Sequence, residues 1–187
     1  MSEADNELVE RYRRGETAAI ETLLSRWERP VRRLLLRLAG HAHDADDLRQ
    51  EVFLRVVKAA ETYRSDWAFS TLLYRIVISV ARDAHRRECR RVRAAAAAPT
   101  KPAHDETSPV LQAANHEVAQ LVAAALESLP DELREPLVLR HFGDMTFQQS
   151  AAVLGLPPST VKSRVHAALR HLRVELRKRG LDEREMP

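Results

Sequence analysis

Residues 147–176 read FQQSAAVLGLPPSTVKSRVHAALRHLRVEL. Apolar residues recur at helical spacing on both sides of Gly155 and of the proline pair that follows it, which predicts two helices joined by a tight turn. Ala151 is small where the two helices must approach, and Gly155 can adopt a left-handed backbone. Val161 is placed to be buried in the first turn of the second helix. Together these spacings favour a helix-turn-helix.

The second helix of this motif carries candidate DNA-reading residues. We expect Ser159 or Thr160 to cap its start and the helix to reach about Leu176. Its apolar stripe should turn inward and consists of Val161, Val165, Ala168, Leu169, Leu172 and Leu176. The opposite face is basic, and a helix of this length fits a major groove with its first turns at base edges. We expect base contacts from Lys162, Ser163, Arg164 and Ala167, phosphate contacts from Arg170 and Arg173, and further contacts from Ser159 and Thr160. An ordinary helical hairpin with a basic outer face is the alternative.

The rest of the chain also predicts helices, and no segment keeps the alternation of a strand for long. The first helical pattern covers residues 20–38 and ends near Gly40, and Pro30 inside it predicts a kink or a break. A second helix follows the acidic residues at 44–47, and a third opens near Ser70. The predicted fold class is therefore all-α.

Composition divides the chain into two small helical domains. Residues 94–117, rich in alanine and proline, predict a flexible linker between residues 1–93 and residues 118–181. The net charge is only +3, from 30 basic and 27 acidic residues, but it is unevenly distributed. Residues 75–93 hold seven arginines against two acidic residues, and residues 158–180 hold seven basic residues against one glutamate. Two basic faces on separate domains indicate a polyanion held at two places, although either face alone is equally typical of a solvated helix.

Aromatic residues cluster where the second and third predicted helices join. Four of the nine aromatic residues lie within twelve positions, namely Tyr63, Trp67, Phe69 and Tyr74. Arg64 and Arg75 alternate with them, and single-stranded bases stack on aromatic rings beside cationic side chains. The alternative is that Phe69 and Tyr63 fill the core where the helices meet. We assign Phe69 to the core and Trp67, in a polar stretch, to base stacking.

Several classes of protein are excluded. No run of apolar residues is long enough for a membrane span. The first ten residues are acidic and lack the apolar segment of a secretory signal, so we expect a cytoplasmic protein. Cys89 is the only cysteine, which excludes a disulfide framework, and the five glycines form no phosphate-binding motif. His41, His43 and Asp44 resemble part of a metallohydrolase motif, but its remaining ligands are missing. We expect no catalytic activity, no metal site and no cofactor.

Three stretches resemble bacterial RNA polymerase sigma factors of the small, two-domain extracytoplasmic-function (ECF) group. DADDLRQEVFLRVVKAAETY (44–63) is similar to sigma region 2.2, and FSTLLYRIVISVARDAHRR (69–87) is similar to regions 2.3 and 2.4. LPDELREPLVLRHFGDMTFQQSAAVLGLPPSTVKSRVHAALRHLR (129–173) resembles region 4. The resemblance implies that region 2.2 docks on the β′ coiled coil of core polymerase. It also implies that regions 2.3 and 2.4 capture and melt the minus-10 element, whereas region 4 reads the minus-35 element and touches the β-flap.

This resemblance supplies a role for each candidate residue. The implied contacts with core polymerase are Asp47, Gln50, Glu51 and Phe53. The minus-10 set is Tyr63, Arg64, Trp67, Tyr74, Arg75, Ser79, Arg82, Arg86 and Arg87, and the helix-turn-helix residues become the minus-35 set. The chain departs from the family pattern at Leu72, where a tryptophan is common, and at Ile78 and Ser79, where an arginine–asparagine pair is common.

The implied partners are core RNA polymerase, promoter DNA and an anti-sigma factor, with a monomeric free protein and no membrane insertion. The alternative is a helix-turn-helix regulator with a helical sensor domain. Such regulators usually dimerise on palindromic DNA and act without docking on core polymerase.

Overall fold

The structure is a computed structural model that describes residues 2–39, 45–63, 68–96 and 113–179. All regular structure in these ranges is α-helical, which confirms the predicted fold class. The helices are α1 (Ser2–Arg13), α2 (Thr17–Ala39), α3 (Ala45–Ala60), α4 (Phe69–Ala96), α5 (Ala113–Glu127), α6 (Asp131–Phe142), α7 (Phe147–Leu154) and α8 (Pro158–Lys178). The candidates Arg64 and Trp67, and the histidines at 41 and 43, lie outside the described residues. None of the described helices has the length and apolar character that a bilayer span requires.

Helices α1 to α4 form the N-terminal domain, and the apolar stripes predicted on α2, α3 and α4 meet in its core. The most deeply buried side chains are Leu23, Val31, Leu34, Leu35, Val52, Val56, Phe69, Leu73, Val77 and Val80. Of the kink or break expected at Pro30, the break is absent, because α2 continues through that position; the kink stays a prediction. Trp27, Val31 and Leu34 on the flanking turns are buried, and their packing offsets the hydrogen bond that Pro30 cannot donate.

Helix α1 is an element that the sequence pattern does not predict. Leu8 and Val9 are buried against the other three helices, but the charged residues around them hide the apolar pattern. Asp5 is only 1% exposed, and its carboxylate accepts a hydrogen bond of 3.1 Å from the indole Nε1 of Trp27. The acidic N-terminal segment is therefore part of the domain core.

Helices α5 to α8 form the C-terminal domain, and its helix-turn-helix is the predicted one. α7 covers the residues expected, and Gly155 adopts the left-handed conformation, with φ of 66°. A reciprocal capping box starts α7: Thr146 Oγ1 accepts from the Gln149 amide at 3.2 Å, and Gln149 Oε1 accepts from the Thr146 amide at 2.8 Å. The core of the C-terminal domain consists of Leu126, Leu129, Leu137, Ala151, Val161, Val165 and Ala168.

Two expectations for the second helix of this motif are wrong. Neither Ser159 nor Thr160 caps α8, because the N-cap is Pro157 and the helix already begins at Pro158. A proline at the first helical position has the required φ and lacks an amide that would need a partner. Leu169 does not turn inward but is 41% exposed, since it lies at the solvent edge of the stripe formed by its neighbours.

The ends of the predicted linker are helical. α4 continues to Ala96, and α5 begins at Ala113, so both helices extend into the range 94–117. Residues 97–112 lie outside the described part of the chain. The limits of the two domains within this range stay a prediction.

The two domains pack against each other. Val138, Leu139, Met145 and Val153 of the C-terminal domain belong to the same buried apolar cluster as the core of the N-terminal domain. The contacts join α2 to α5 and α6, and α4 to α7. The residues of α4 that face this junction include several of the candidate site residues.

Candidate nucleic-acid interface

The outward face of α8 is basic and open to solvent. Lys162, Ser163, Arg170 and Arg173 are exposed, as is Ser159 in the first turn. Thr160, Arg164 and Ala167 are half-buried. The structure therefore brings the eight predicted residues onto one helix, with the five exposed members directed away from the domain core.

Arg164 has a neighbour that the sequence analysis does not identify. Its guanidinium Nη2 lies 3.6 Å from the carboxylate Oε2 of Glu132 on α6. The pair places Arg164 at the edge of the basic face, next to α6. An exposed carboxylate at this distance can orient the arginine without burying its charge.

The N-termini of α7 and α8 open into one shallow groove. The groove has a volume of about 350 Å³ and is lined by Thr146, Phe147, Gln148, Pro158, Ser159 and Lys162. The N-terminal end of a helix carries a partial positive charge and unpaired amide groups, which suit a phosphate oxygen. With the Lys162 ammonium beside it, the groove has the chemistry of a contact with a nucleic-acid backbone.

The outer face of α3 combines acidic and apolar groups. Of the four predicted polymerase contacts, Asp47 and Gln50 are exposed, and Glu51 and Phe53 are half-buried. Leu54 lies on the same face with 73% of its surface exposed, the highest exposure among the large apolar side chains described. The sequence analysis missed Leu54, although its position one turn beyond Gln50 places an apolar residue on a polar helix face.

Ion pairs connect α3 with the exposed side of α4. The carboxylate of Glu51 binds Arg55 at 2.5 Å and Arg87 at 3.3 Å. Asp83 binds Arg86 at 2.7 Å, and this hydrogen bond lowers the pKa of the Asp83 carboxyl group. A groove of about 300 Å³ runs between the two helices beside these pairs.

Three predicted minus-10 residues on α4 contact the C-terminal domain. The guanidinium of Arg82 binds both carboxylate oxygens of Glu135, at 2.5 and 2.6 Å, and this pairing raises the pKa of Arg82. Arg75 donates two hydrogen bonds to the carbonyl oxygen of Ala152, at 3.2 and 2.7 Å.

The third of them, Tyr74, is buried at the same junction. Its hydroxyl donates to the carbonyl oxygen of Gly143 at 3.2 Å. Burial, and secondarily the nearby Asp144 carboxylate, raises the pKa of the Tyr74 hydroxyl to about 12. Its ring has no free face for a base in this arrangement, since Tyr74 as a whole is only 5% exposed.

The other predicted minus-10 residues separate into buried and exposed groups. Tyr63 is buried, packs edge-on to Phe69, and donates from its hydroxyl to Asn6 Oδ1 at 3.2 Å. Ser79, Arg86 and Arg87 are exposed. Among the positions that depart from the family pattern, Ile78 is buried and only Ser79 faces outward. In the described residues, no group of three His, Cys, Asp or Glu side chains is placed to hold a metal ion.

Comparison with known proteins identifies both domains. Residues 23–91 match the family "Sigma-70 region 2", and residues 119–172 match the family "Sigma-70, region 4". The RNA polymerase sigma-H factor of Pseudomonas aeruginosa is 33% identical over 174 residues, which cover 89% of this chain and 90% of that protein. The ECF RNA polymerase sigma-E factor of Escherichia coli is 30% identical over 178 residues, which cover 90% and 93%.

Solved structures show the same arrangement of helices. CnrH in complex with the cytosolic domain of CnrY has a TM-score of 0.72 at 26% identity, covering 94% of this chain and 98% of that one. The sigma factor RpoE in complex with the anti-sigma factor NepR from Bartonella quintana has a TM-score of 0.63 at 20% identity, covering 79% and 89%, and supports the fold alone. The matches to both sigma regions and the identity over most of both chains confirm the resemblance seen in the sequence, and the protein belongs to the ECF RNA polymerase sigma factors of the sigma-70 family.

Proposed function

We propose that this ECF sigma factor docks on core RNA polymerase through α3, reads the minus-35 element with α8 and captures the minus-10 element with α4. The observation that carries the proposal is the exposed basic face of α8 beside the groove at the N-termini of α7 and α8. A duplex offers phosphates to the groove and base edges to the first turns of α8. The alternative of a regulator that acts without polymerase is not favoured by the relatives.

The minus-35 contacts follow from position along α8. Lys162 and Ser163 lie in the first turns and are exposed, so they can approach base edges. Arg164 lies beside them at the edge of the basic face of α8, where its ion pair with Glu132 limits the orientation of its side chain. Arg170 and Arg173 lie further along α8, where they face the phosphate backbones that border the major groove of the DNA.

The polymerase-docking surface consists of Asp47, Gln50, Glu51, Phe53 and Leu54. An exposed leucine surrounded by acidic and amide groups fits a partner helix that carries an apolar position among basic residues. The β′ coiled coil of core polymerase is the partner that we assign to this face, and the β-flap is the partner that we assign to the C-terminal domain. Both assignments rest on the family resemblance together with the exposure of the faces.

The minus-10 function depends on α4 and on the segment that precedes it. Ser79, Arg86 and Arg87 face solvent and are available to DNA as the domains stand. Arg64 and Trp67 are assigned to strand capture from the sequence alone. Tyr74, Arg75 and Arg82 belong to the same face, but they reach DNA only when the C-terminal domain leaves α4.

We infer that the domains are residues 1–93 and 118–181, that the protein acts in the cytoplasm, and that it has no catalytic activity. The location is supported by the relatives, which are RNA polymerase sigma factors and therefore work together with polymerase. An anti-sigma factor is a further partner that we assign from the family resemblance.

Run-off transcription with purified core polymerase on a library of bacterial promoter fragments tests the proposed function. We expect transcripts that start a fixed distance downstream of a footprint with two protected elements. Analytical ultracentrifugation of the same protein should show a monomer that sediments with core polymerase. A dimer that binds palindromic DNA tightly and leaves transcription by core polymerase unchanged would contradict the proposal.

A further inference from the structure

The junction between the domains engages Tyr74, Arg75 and Arg82, which form part of the α4 face to which we assign minus-10 DNA. We propose that the C-terminal domain masks this face within the free chain, and that the Glu135 carboxylate occupies the position on Arg82 that a DNA phosphate takes in the open state. The proposal rests on the proposed function for the identity of the DNA face, whereas the masking contact stands on the geometry alone.

The Arg82–Glu135 pair has the form of a phosphate contact. Both carboxylate oxygens bind the guanidinium, at 2.5 and 2.6 Å, in the bidentate geometry that arginine also forms with phosphate. The side chain of Glu135 is only 7% exposed, whereas that of Arg82 is 47% exposed. A buried carboxylate is costly without a cation, so Glu135 depends on an arginine supplied by the other domain.

Further contacts hold the domains together around this pair. Arg33 on α2 donates to the carbonyl oxygen of Phe142 at 2.8 Å, and the Arg37 guanidinium lies 4.1 Å from the centre of the Phe142 ring. Tyr74 reaches Gly143, and Arg75 reaches the end of α7. The masking surface therefore consists of the Arg82–Glu135 pair, two longer contacts of 3.9 Å from Arg33 to Asp144 and from His85 to Asp131, and several bonds to backbone carbonyls near the ends of α6 and α7.

Apolar burial makes the masked arrangement the stable one for the isolated chain. Val138 and Leu139 on α6 are fully buried in the cluster shared with the N-terminal domain, and Met145 is 3% exposed there. Separation of the domains would expose part of this cluster to water. A partner that separates them must supply replacement contacts, and core polymerase, which binds both domains, is suited to do so.

The masked state leaves the other two functional faces open. The exposed residues of α8 and the outer face of α3 do not take part in the junction. The free chain can thus approach a minus-35 duplex or core polymerase while Tyr74, Arg75 and Arg82 of its minus-10 face are engaged by the C-terminal domain. The preference of promoter DNA for the holoenzyme over the free factor then arises at the minus-10 face of α4 alone.

The test is Glu135→Gln in the full chain, with Glu127→Gln as the matched control. Both variants remove one negative charge, but Glu127 is exposed on α5. Hydrogen exchange of α4 amides and small-angle scattering report opening without DNA. Fluorescence anisotropy with a random pool of short single-stranded oligonucleotides, at fixed salt and without polymerase, reports access to the DNA face.

We expect Glu135→Gln to speed exchange along residues 74–82, to raise the radius of gyration and to tighten strand binding by at least about tenfold, whereas Glu127→Gln changes none of these. Unchanged exchange and scattering would overturn the masking contact. Opening without tighter strand binding would leave the contact in place and overturn the assignment of minus-10 DNA to this face, which distinguishes the two failures.

A second variant guards against loss of folding in Glu135→Gln. Arg33→Gln combined with Arg37→Gln removes both contacts to Phe142 from surface positions of α2 and leaves Glu135 intact. This double variant should also open the chain and tighten strand binding, although it loses two positive charges that favour DNA. A folded double variant that remains as closed as the wild type would contradict the proposal.

Discussion

Two basic helices of this protein, α4 and α8, have similar composition but opposite surroundings. The arginines of α8 at positions 170 and 173 face solvent, whereas Arg75 and Arg82 of α4 bind groups of the other domain. Charge patterning predicts both helices as DNA-binding elements. The difference shows that a basic helix face can be paired within its own chain, so its availability depends on the arrangement of the domains.

The largest expected effect on stability comes from an apolar side chain buried at the junction, compared with one exposed on α8. Leu139→Ala should lower the free energy of unfolding by about 2–5 kcal/mol, because Leu139 is fully buried in the cluster that joins the domains. Leu169→Ala on the exposed face of α8 should change it by no more than about 0.5 kcal/mol. Urea unfolding followed by circular dichroism measures both, and equal losses would remove the contrast between the junction, which covers α4, and the open face of α8.

Loss of a base contact on the open helix should come next in size. Arg164→Ala should weaken binding of the holoenzyme to promoter duplex by about 1–3 kcal/mol, with the loss confined to the upstream element. Arg29→Ala, an exposed arginine on α2, serves as the charge-matched control. Quantitative footprinting resolves the two elements. An unchanged footprint at the upstream element would show that the exposed face of α8 does not read bases through Arg164.

The polymerase-docking surface is a third open face and provides an independent check. Asp47→Ala and Leu54→Ala should each weaken binding of core polymerase by about 1–2 kcal/mol, because each removes a contact from the centre of the proposed interface. Lys58→Ala lies one turn further along α3 and should have little effect. Titration calorimetry with purified core polymerase gives the affinities. Full affinity in both variants would place the docking face elsewhere.

The smallest expected effect concerns the hydroxyl of Tyr74 at the covered face. Tyr74→Phe should lower the free energy of unfolding by about 0.5–1.5 kcal/mol, because the carbonyl oxygen of Gly143 loses its donor.

The raised pKa of Tyr74 adds a pH dependence with a defined sign. The hydroxyl ionises near pH 10 in the unfolded chain and at about 12 in the folded one, so its contribution to stability is complete below pH 10 and is lost as pH rises toward 12. Absorbance at alkaline pH should show a late ionisation that is missing in Tyr74→Phe. An alkaline titration that is identical in the wild type and Tyr74→Phe, apart from the lost amplitude near pH 10, would show that Tyr74 is not covered by the other domain.

The sequence is sufficient to predict elements whose determinants are local. The helix-turn-helix follows from Ala151, Gly155 and Val161, whose roles depend on residues only a few positions away. Local spacing is a weaker guide to where a helix starts and to which residues at the edge of its apolar stripe are buried. The start of α8 at Pro158 and the exposure of Leu169 show this. The sequence pattern does not predict helix α1, because Leu8 and Val9 are its only buried apolar residues among those described. The other buried residue of this helix is the acidic Asp5.

The junction between the domains has no local determinant. Arg82 and Glu135 are 53 positions apart, and nothing in either helix indicates that these two charges meet. The same holds for Tyr63 and Tyr74, whose aromatic character suits both base stacking and a core. Burial decides between these uses, and burial is a property of the packed molecule.

The bond between Asp5 and Trp27 has a practical consequence. Trp27 is one of two tryptophans, and its ring lies edge-on to Tyr74 with 5.7 Å between ring centres. Tyr74 in turn bonds to the C-terminal domain. In a Trp67→Phe background, the indole of Trp27 is the sole long-wavelength fluorophore, and its emission should respond when Tyr74 loses that bond. Stopped-flow mixing with core polymerase would then time the separation of the domains without an attached dye.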